Sequence, residues 1–387
     1  MGHVQIEKLR SRQLGPLTII IQPMQIDILD YDANKSKASS FSAKHPMFSL
    51  SETELPQGIG EWLRSFENFV VVGMGGSSLP LKAFVDAAQL QDRIHFLDRL
   101  SSVLLDRFLK LPKVLFCIVS KSGETLEVHT LLRELQIRSP EQGILIVTDP
   151  QNGSLRKLVN EKKLKSIAIP QSLGGRFTHF SPFHRALLER LGVDFSSLVM
   201  KAKLTVESLK KDPSPLEGLY RNLFEYPKSH LILFAYGDRL LGLCEWIQQA
   251  IAESLGKRSS DGKRLGIFPI VLKGPQDQHS VLQLLMDGPQ NSALWFFGTH
   301  SDGSRLAAIQ SLLEESSFQS FKERLANPET HQPLARWTFE KNLEEVAEAI
   351  VTIDAFIEYA SERQGINAYD QPGVERGKQI ARDLMSK

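Results

Sequence analysis

The chain has 387 residues, more than one ordinary hydrophobic core holds, so two domains are expected. Apolar residues at 42% with charged residues at 24% exclude a disordered chain, and a formal net charge of +1 gives no case for a nucleic-acid or membrane-surface partner. No apolar run reaches the roughly 18 residues of a membrane span, and the start MGHVQIEKLRSRQ has no signal-peptide core, so the expected compartment is the cytoplasm.

Residues 1–50 read as a mixed arm that includes an exposed connection, DANKSKASSFSAKHP. Short apolar, β-branched runs follow: NFVVVGMGG (68–76), IHFL (94–97), VLFCIVS (114–120), GILIVTD (143–149) and SIAIP (166–170). Stretches of helical length, such as LPLKAFVDAAQ and TLEVHTLLRELQ, separate them, which predicts a parallel sheet covered on both faces. A second set, SHLILFAYG (229–237), LGIFPIVLKG (265–274) and ALWFFGT (293–299), predicts a second α/β unit of similar plan. The boundary is expected near LKKDPSPLEG, within 195–215, and a last helix from about Pro372. Cys117 and Cys244 lie in apolar runs and read as buried thiols of a reducing compartment.

In such sheets ligands sit beyond the carboxyl ends of the strands. The loops to watch are therefore GMGGSSLP (73–80) and SKSGETLE (120–127). The first is not a dinucleotide fingerprint, because Ser78 stands at the third glycine, and neither is a P-loop. They read as strand–turn–helix anion sites of hydroxyls and helix-start amides, or else as plain tight turns and caps. Glu124 and Glu127 fit an anion site only if they project outward from the first helical turn, and Glu124 is expected to make no contact with the anion.

CEWIQQAIAESLGKR (244–258) predicts a helix with Leu243, Ile247, Ala250 and Ile251 on its apolar stripe, Gln249 and Glu253 on another face, and Gly256 as a stop signal. Glu253 falls in the last turn, where the helix dipole disfavours its charge. That suits a general base, against the plain alternative of a solvated surface carboxylate, and Lys257 would oppose the effect. In GPQDQHSVLQLLMDGP (274–289) His279 follows a strand end, at the start of a helix that Asp277 could cap; a structural histidine is the alternative. The ten histidines form no H-x-x-x-H pair, so no metal site is expected. In YDQPGVERGKQIARDLMSK, Lys378 shares a helix face with Val374, Ala381, Leu384 and Met385. It needs an anionic partner or a pocket there, unless it snorkels.

Taken together, GMGGSSL, SKSGETLE, LGGRFTHFSP (173–182), AESLGK, DQHSVLQ and YDQPGVERGK, in order from Gly73 to Lys378, resemble the glucose-6-phosphate isomerase family. The first two alone mark the wider sugar-isomerase (SIS) class. The resemblance implies an α/β fold of two SIS-type domains with parallel sheets flanked by helices, plus a C-terminal helix. The expected division is an N-terminal arm (1–50), a first domain with the phosphate loops (51–195), a second with Glu253 and His279 (196–365), and a C-terminal helix with Lys378 (366–387). It also implies an aldose–ketose isomerase of glycolysis and gluconeogenesis that interconverts D-glucose 6-phosphate and D-fructose 6-phosphate by ring opening and enediol proton transfer, without metal or organic cofactor.

By the same resemblance Glu253 is the base and Arg176 stabilises the enediolate, while His279 and Lys378 assist ring opening. Gly76, Ser77, Ser120, Ser122 and Thr125 hold the phosphate, to which Lys121 can add charge, and Gln249 and Gln371 contact the sugar. The active unit implied is a homodimer with His279 supplied across the interface. Pro80 and Leu81, Glu124 and Val128 depart from the family pattern in the phosphate loops, and the chain is short for the family. Two alternatives stand beside this reading: a bifunctional phosphoglucose/phosphomannose isomerase, against which GGRF and DQPGVERGK speak, and a non-catalytic phosphosugar-binding SIS regulator.

Overall fold

Strands that are largely apolar on both faces need both faces covered, and the first half of the chain assembles such strands into one parallel sheet. Its order is Ile94–Leu97, Asn68–Val72, Val114–Ser120, Gly143–Thr148, Ser166–Ala168. From Asn68–Val72 the chain swings outward to Ile94–Leu97, then back to Val114–Ser120 on the other side. That reversal opens a crevice at the carboxyl ends of the two central strands, where loops 73–78 and 121–125 emerge. The structure, a computed structural model, describes residues 17–21, 24–29, 38–50, 54–225, 228–300, 303–325, 332–340 and 342–385. The readings of the leader region (1–13) and of 32–37 in the connection lie outside these residues, as does the side chain of Met385.

The second sheet repeats the swing with Phe268–Gly274, His230–Tyr236, Ser292–Thr299 and Leu334–Phe339, all parallel. Sequence reading missed Leu334–Phe339. It also missed that the arm contributes antiparallel strands, Met24–Leu29 against Leu334–Phe339 and Leu17–Ile21 at the edge. Residues 195–215, expected to be a boundary, are mostly helical, in Phe195–Lys211 and Ser214–Phe224. One continuous apolar cluster takes in Phe69 and Val71 from the first sheet, Leu231 and Trp295 from the second, and Ile353 and Ile357 from the long helix Leu343–Gln364. Cys117 and Cys244 are buried free thiols. Among the described residues no helix is long and apolar enough to cross a membrane.

Two contacts bring the halves to the crevice. Helix Leu79–Ala87, which follows the first loop, packs on helix Asp238–Leu255. Gly242 permits this, since a Cβ there would lie 2.7 Å from the Lys82 carbonyl oxygen, and Lys82 and Glu245 form an ion pair across the contact. The second contact refines the reading of DANKSKASSFSAKHP as an exposed connection: Ser39, Ser40, Ser42, Lys44 and Pro46 are exposed, yet the segment is tied down. Residues 38–50 form a strap with Phe41, Met47 and Leu50 buried. Its Ser39 N–H donates to the Tyr359 hydroxyl (3.0 Å), and its Lys44 and His45 N–H groups donate to Glu358 (3.0 and 3.1 Å) on the long helix.

Beyond the Arg176 turn, His179 and His184 are buried, and the His184 Nδ1 donates to the His179 carbonyl (3.1 Å). Burial lowers both pKa values, that of His184 to about 4. In the unfolded chain His184 takes a proton near pH 6.5, whereas the folded chain resists until about pH 4. Its contribution is therefore present above pH 6.5 and lost as the pH falls toward 4, a drop of ~3 kcal/mol for this group. Urea unfolding across this window is expected to show the decline, and His184→Asn to flatten it. An unchanged slope in the variant would count against the buried neutral imidazole.

Candidate active site

Backbone proximity builds the site first. Gly75–Ser77, in the loop after the first strand, and Gly175–Phe177 each form a short 3-10 turn, and the two turns touch. A Cβ on Gly76 would lie 2.6 Å from the Arg176 amide nitrogen, so a residue without a side chain is required there. On the other side Gly75 meets the Gln249 amide, and φ of +51° places this glycine in the left-handed region.

The second loop begins where Val114–Ser120 ends. Ser120 is buried and its hydroxyl lies 2.8 Å from Thr125 Oγ1. Thr125 stands at the N-cap of helix Leu126–Arg138 without capping it by its side chain. The first amides of that helix thus have no side-chain acceptor, the usual arrangement of an anion-binding helix end. Ser122 Oγ accepts from the Glu124 N–H (3.2 Å). The Glu124 carboxylate accepts from the Ser154 N–H (2.6 Å), at the start of another helix, Ser154–Lys162. Its charge is thereby engaged by a neighbouring helix dipole, a partner that the local sequence did not indicate. Lys121 is half-buried; burial lowers its pKa, Asp149 opposes this and Arg176 adds to it.

Glu253 lies in the last turn of Asp238–Leu255, where Leu243, Ile247, Ala250 and Ile251 are fully buried and orient the opposite face. The helix ends at Gly256. Gln249 Nε2 donates to Glu253 Oε1 (2.9 Å); Gln371 Nε2 and Arg176 Nη1 (3.2 Å) donate to Oε2. Arg176 is only 2% exposed, and its other nitrogens donate to Ser254 Oγ (2.9 Å) and the Ala368 carbonyl. The Phe177 ring lies 4.7 Å from the guanidinium carbon. Burial lowers the Arg176 pKa, opposed by Glu253 and then by Asp354 and Asp370. Lys257, expected to bear on Glu253, is instead paired with Asp370 (2.9 Å).

Arg176, Gln249, Glu253 and Gln371 thus share one hydrogen-bonded cluster, with the 73–78 loop against it. His279 and Lys378 have no bond to that cluster within the chain. His279 is exposed in the first turn of helix Gln278–Asp287. Asp277 occupies the N-cap, but its carboxylate accepts from the Lys273 N–H (2.7 Å) rather than capping the helix amides. The inward stripe expected for the C-terminal helix Pro372–Met385 is not inward. Val374 is 49% and Leu384 65% exposed, and Lys378 is exposed and paired with Glu375 (2.7 Å). Among the described residues, Val374, Ile380 and Leu384 of its apolar face stay exposed. Sequence reading also missed Ser254, Ala368 and Asp370. Ser254 was legible as the neighbour of Glu253, whereas a carbonyl ligand such as that of Ala368 carries no side-chain signal.

No family model matches the chain. It is 32% identical to the glucose-6-phosphate isomerase of Campylobacter jejuni over 83% of this chain and 86% of that protein. The chain belongs to the glucose-6-phosphate isomerase family. The glucose-6-phosphate isomerase of Thermus thermophilus is likewise 32% identical, over 83% of this chain and 84% of that one. The fold is also that of a glucose-6-phosphate isomerase crystal structure from Chlamydia trachomatis, with a TM-score of 0.68 at 21% identity, covering 88% of this chain and 77% of that one.

The Gly76 contact gives a direct test. Because the atoms that a new Cβ would strike are backbone, Gly76→Ala is expected to lower unfolding free energy by about 1–3 kcal/mol in urea titrations. Wild-type stability in that variant would show that the two turns can part without cost.

Proposed function

We propose that this member of the glucose-6-phosphate isomerase family interconverts D-glucose 6-phosphate and D-fructose 6-phosphate with Glu253 as proton carrier and Arg176 as the enediolate-stabilising cation. The observation that carries the reading is the Glu253–Arg176 pair at 3.2 Å, fastened by Gln249 and Gln371 beside the 73–78 loop. In the open-chain aldose, Glu253 takes the C2 proton and the electron pair forms the C1=C2 enediolate. The negative oxygen is met by a guanidinium already in place. The same carboxyl returns the proton to C1, while a proton passes from O2 to O1, leaving the carbonyl at C2. Oε1 accepts one donor and Oε2 two, so Oε1 is the oxygen with a lone pair to spare.

At the other end of the substrate, Gly76, Ser77, Ser120, Ser122 and Thr125, with the first amides of Leu126–Arg138, hold the phosphate, and Lys121 adds charge. His279 and Lys378 serve ring opening, and the assembly that completes their placement is a homodimer. Support comes from the exposed apolar residues Val374, Ile380 and Leu384 on the C-terminal helix and Leu306, Ile309 and Leu312 on Arg305–Arg324, faces that a second copy could cover. The reaction belongs to glycolysis and gluconeogenesis in the cytoplasm.

Glu253→Gln is expected to lower fructose 6-phosphate turnover by about 10²–10⁴-fold in a coupled assay while sugar-phosphate binding persists; normal turnover would remove Glu253 from the base role. The homodimer has a separate test in mixed subunits. Glu253→Gln and His279→Ala chains, each nearly inactive alone, should regain about a quarter of wild-type activity after random re-association, because one site per mixed dimer then holds both native residues. No recovery in dimers shown to have mixed would place His279 in the same chain as its Glu253.

A further inference from the structure

The strap at 38–50 brings a residue to this site that neither the motifs nor the family resemblance indicated. The His45 ring stacks on the Tyr369 ring, with centroids 3.8 Å apart and planes 10° from parallel, and Phe177, next to Arg176, lies 5.9 Å away. Its Nδ1 accepts from the Met47 N–H (3.2 Å), which puts the proton of the neutral ring on Nε2. Burial, with Arg176 and Lys121 adding to it, lowers the His45 pKa to about 4, so the ring that stacks is uncharged.

Both members of the stack are anchored at one place. Glu358, buried on the long helix, accepts from the Lys44 and His45 N–H groups and from the Tyr369 hydroxyl (3.0 Å). Tyr369 in turn lies in the turn that serves the catalytic pair. Ala368 gives its carbonyl to Arg176, Asp370 holds Lys257, and Gln371 donates to Glu253. A displacement of Tyr369 therefore moves the partners of Arg176 and Glu253 together.

We propose that His45 is a positioning residue for the isomerase reaction, holding the 368–371 turn through its stack on Tyr369 and thereby setting the placement of Arg176 and Glu253. The proposal rests on the catalytic reading of that pair. The role belongs to the flat ring face; the imidazole's acid–base chemistry takes no part, and the phosphate end of the site is left untouched.

The test is steady-state kinetics on fructose 6-phosphate with wild type, His45→Ala and His45→Phe, alongside thermal unfolding. His45→Ala is expected to lower kcat about 10- to 100-fold with KM within about twofold of wild type, the signature of misplaced reacting groups. His45→Phe keeps a flat ring on Tyr369 and is expected to recover kcat to within about threefold of wild type. A merely structural role would lower the unfolding temperature and leave kcat per folded molecule unchanged, which overturns the proposal. So does a His45→Phe enzyme as slow as His45→Ala, or a rise in KM at constant kcat. Should His45→Ala fail to fold, Tyr369→Leu against Tyr369→Phe poses the same question: a slow leucine and a near-normal phenylalanine enzyme support it, and equal rates sink it. Absence of turnover in the wild type would instead overturn the isomerase reading itself, and full turnover in Glu253→Gln the base assignment.

Discussion

A guanidinium removed from water must be met on every side, and Arg176 is the point where that requirement organises the molecule. Desolvating the cation is costly unless hydrogen bonds and an opposite charge replace the lost water. Ser254 and Glu253 from one helix, the Ala368 carbonyl from the turn before the C-terminal helix, and the Phe177 face supply these. Separate regions of the chain are thereby tied at one side chain. A charge held this way meets developing negative charge with little reorganisation, because its partners are already oriented.

The two sheets divide the work by topology. The reversal of strand order in the first sheet opens a crevice between its central strands, and the hydroxyl-rich loops stand at its edge. The second half supplies the helix Asp238–Leu255, whose buried stripe sets the direction of the Gln249 and Glu253 face. Packing of Leu79–Ala87 against that helix, at the close approach of Gly242, sets the 73–78 loop against Gln249.

Where a signal was local, the sequence was legible. The continuous apolar strands 68–72, 94–97 and 114–120, the helix ending at Gly256 and the Gln249–Glu253 face needed only periodicity and stop signals. The antiparallel pair at 17–29 was missed although Met24, Ile26 and Ile28 alternate with Gln25 and Asp27 in burial, a pattern that short runs share with loops. Contacts between distant segments left no local trace: Glu124 on the Ser154 amide, Lys257 on Asp370, and the strap on Glu358. The C-terminal helix erred the other way. Its amphipathic pattern was read as packing, but an apolar stripe states only that a surface is wanted, and among the described residues Val374, Ile380 and Leu384 stay exposed.

The contact between Gly76 and the Arg176 backbone has a consequence for how such a site can vary. Where two loops meet through side chains, a changed rotamer can lengthen or shorten the gap between them. Here main chain meets main chain, and no rotamer exists to absorb a change. The spacing of these two turns is then fixed by the backbone alone, and only a remodelled turn can change it.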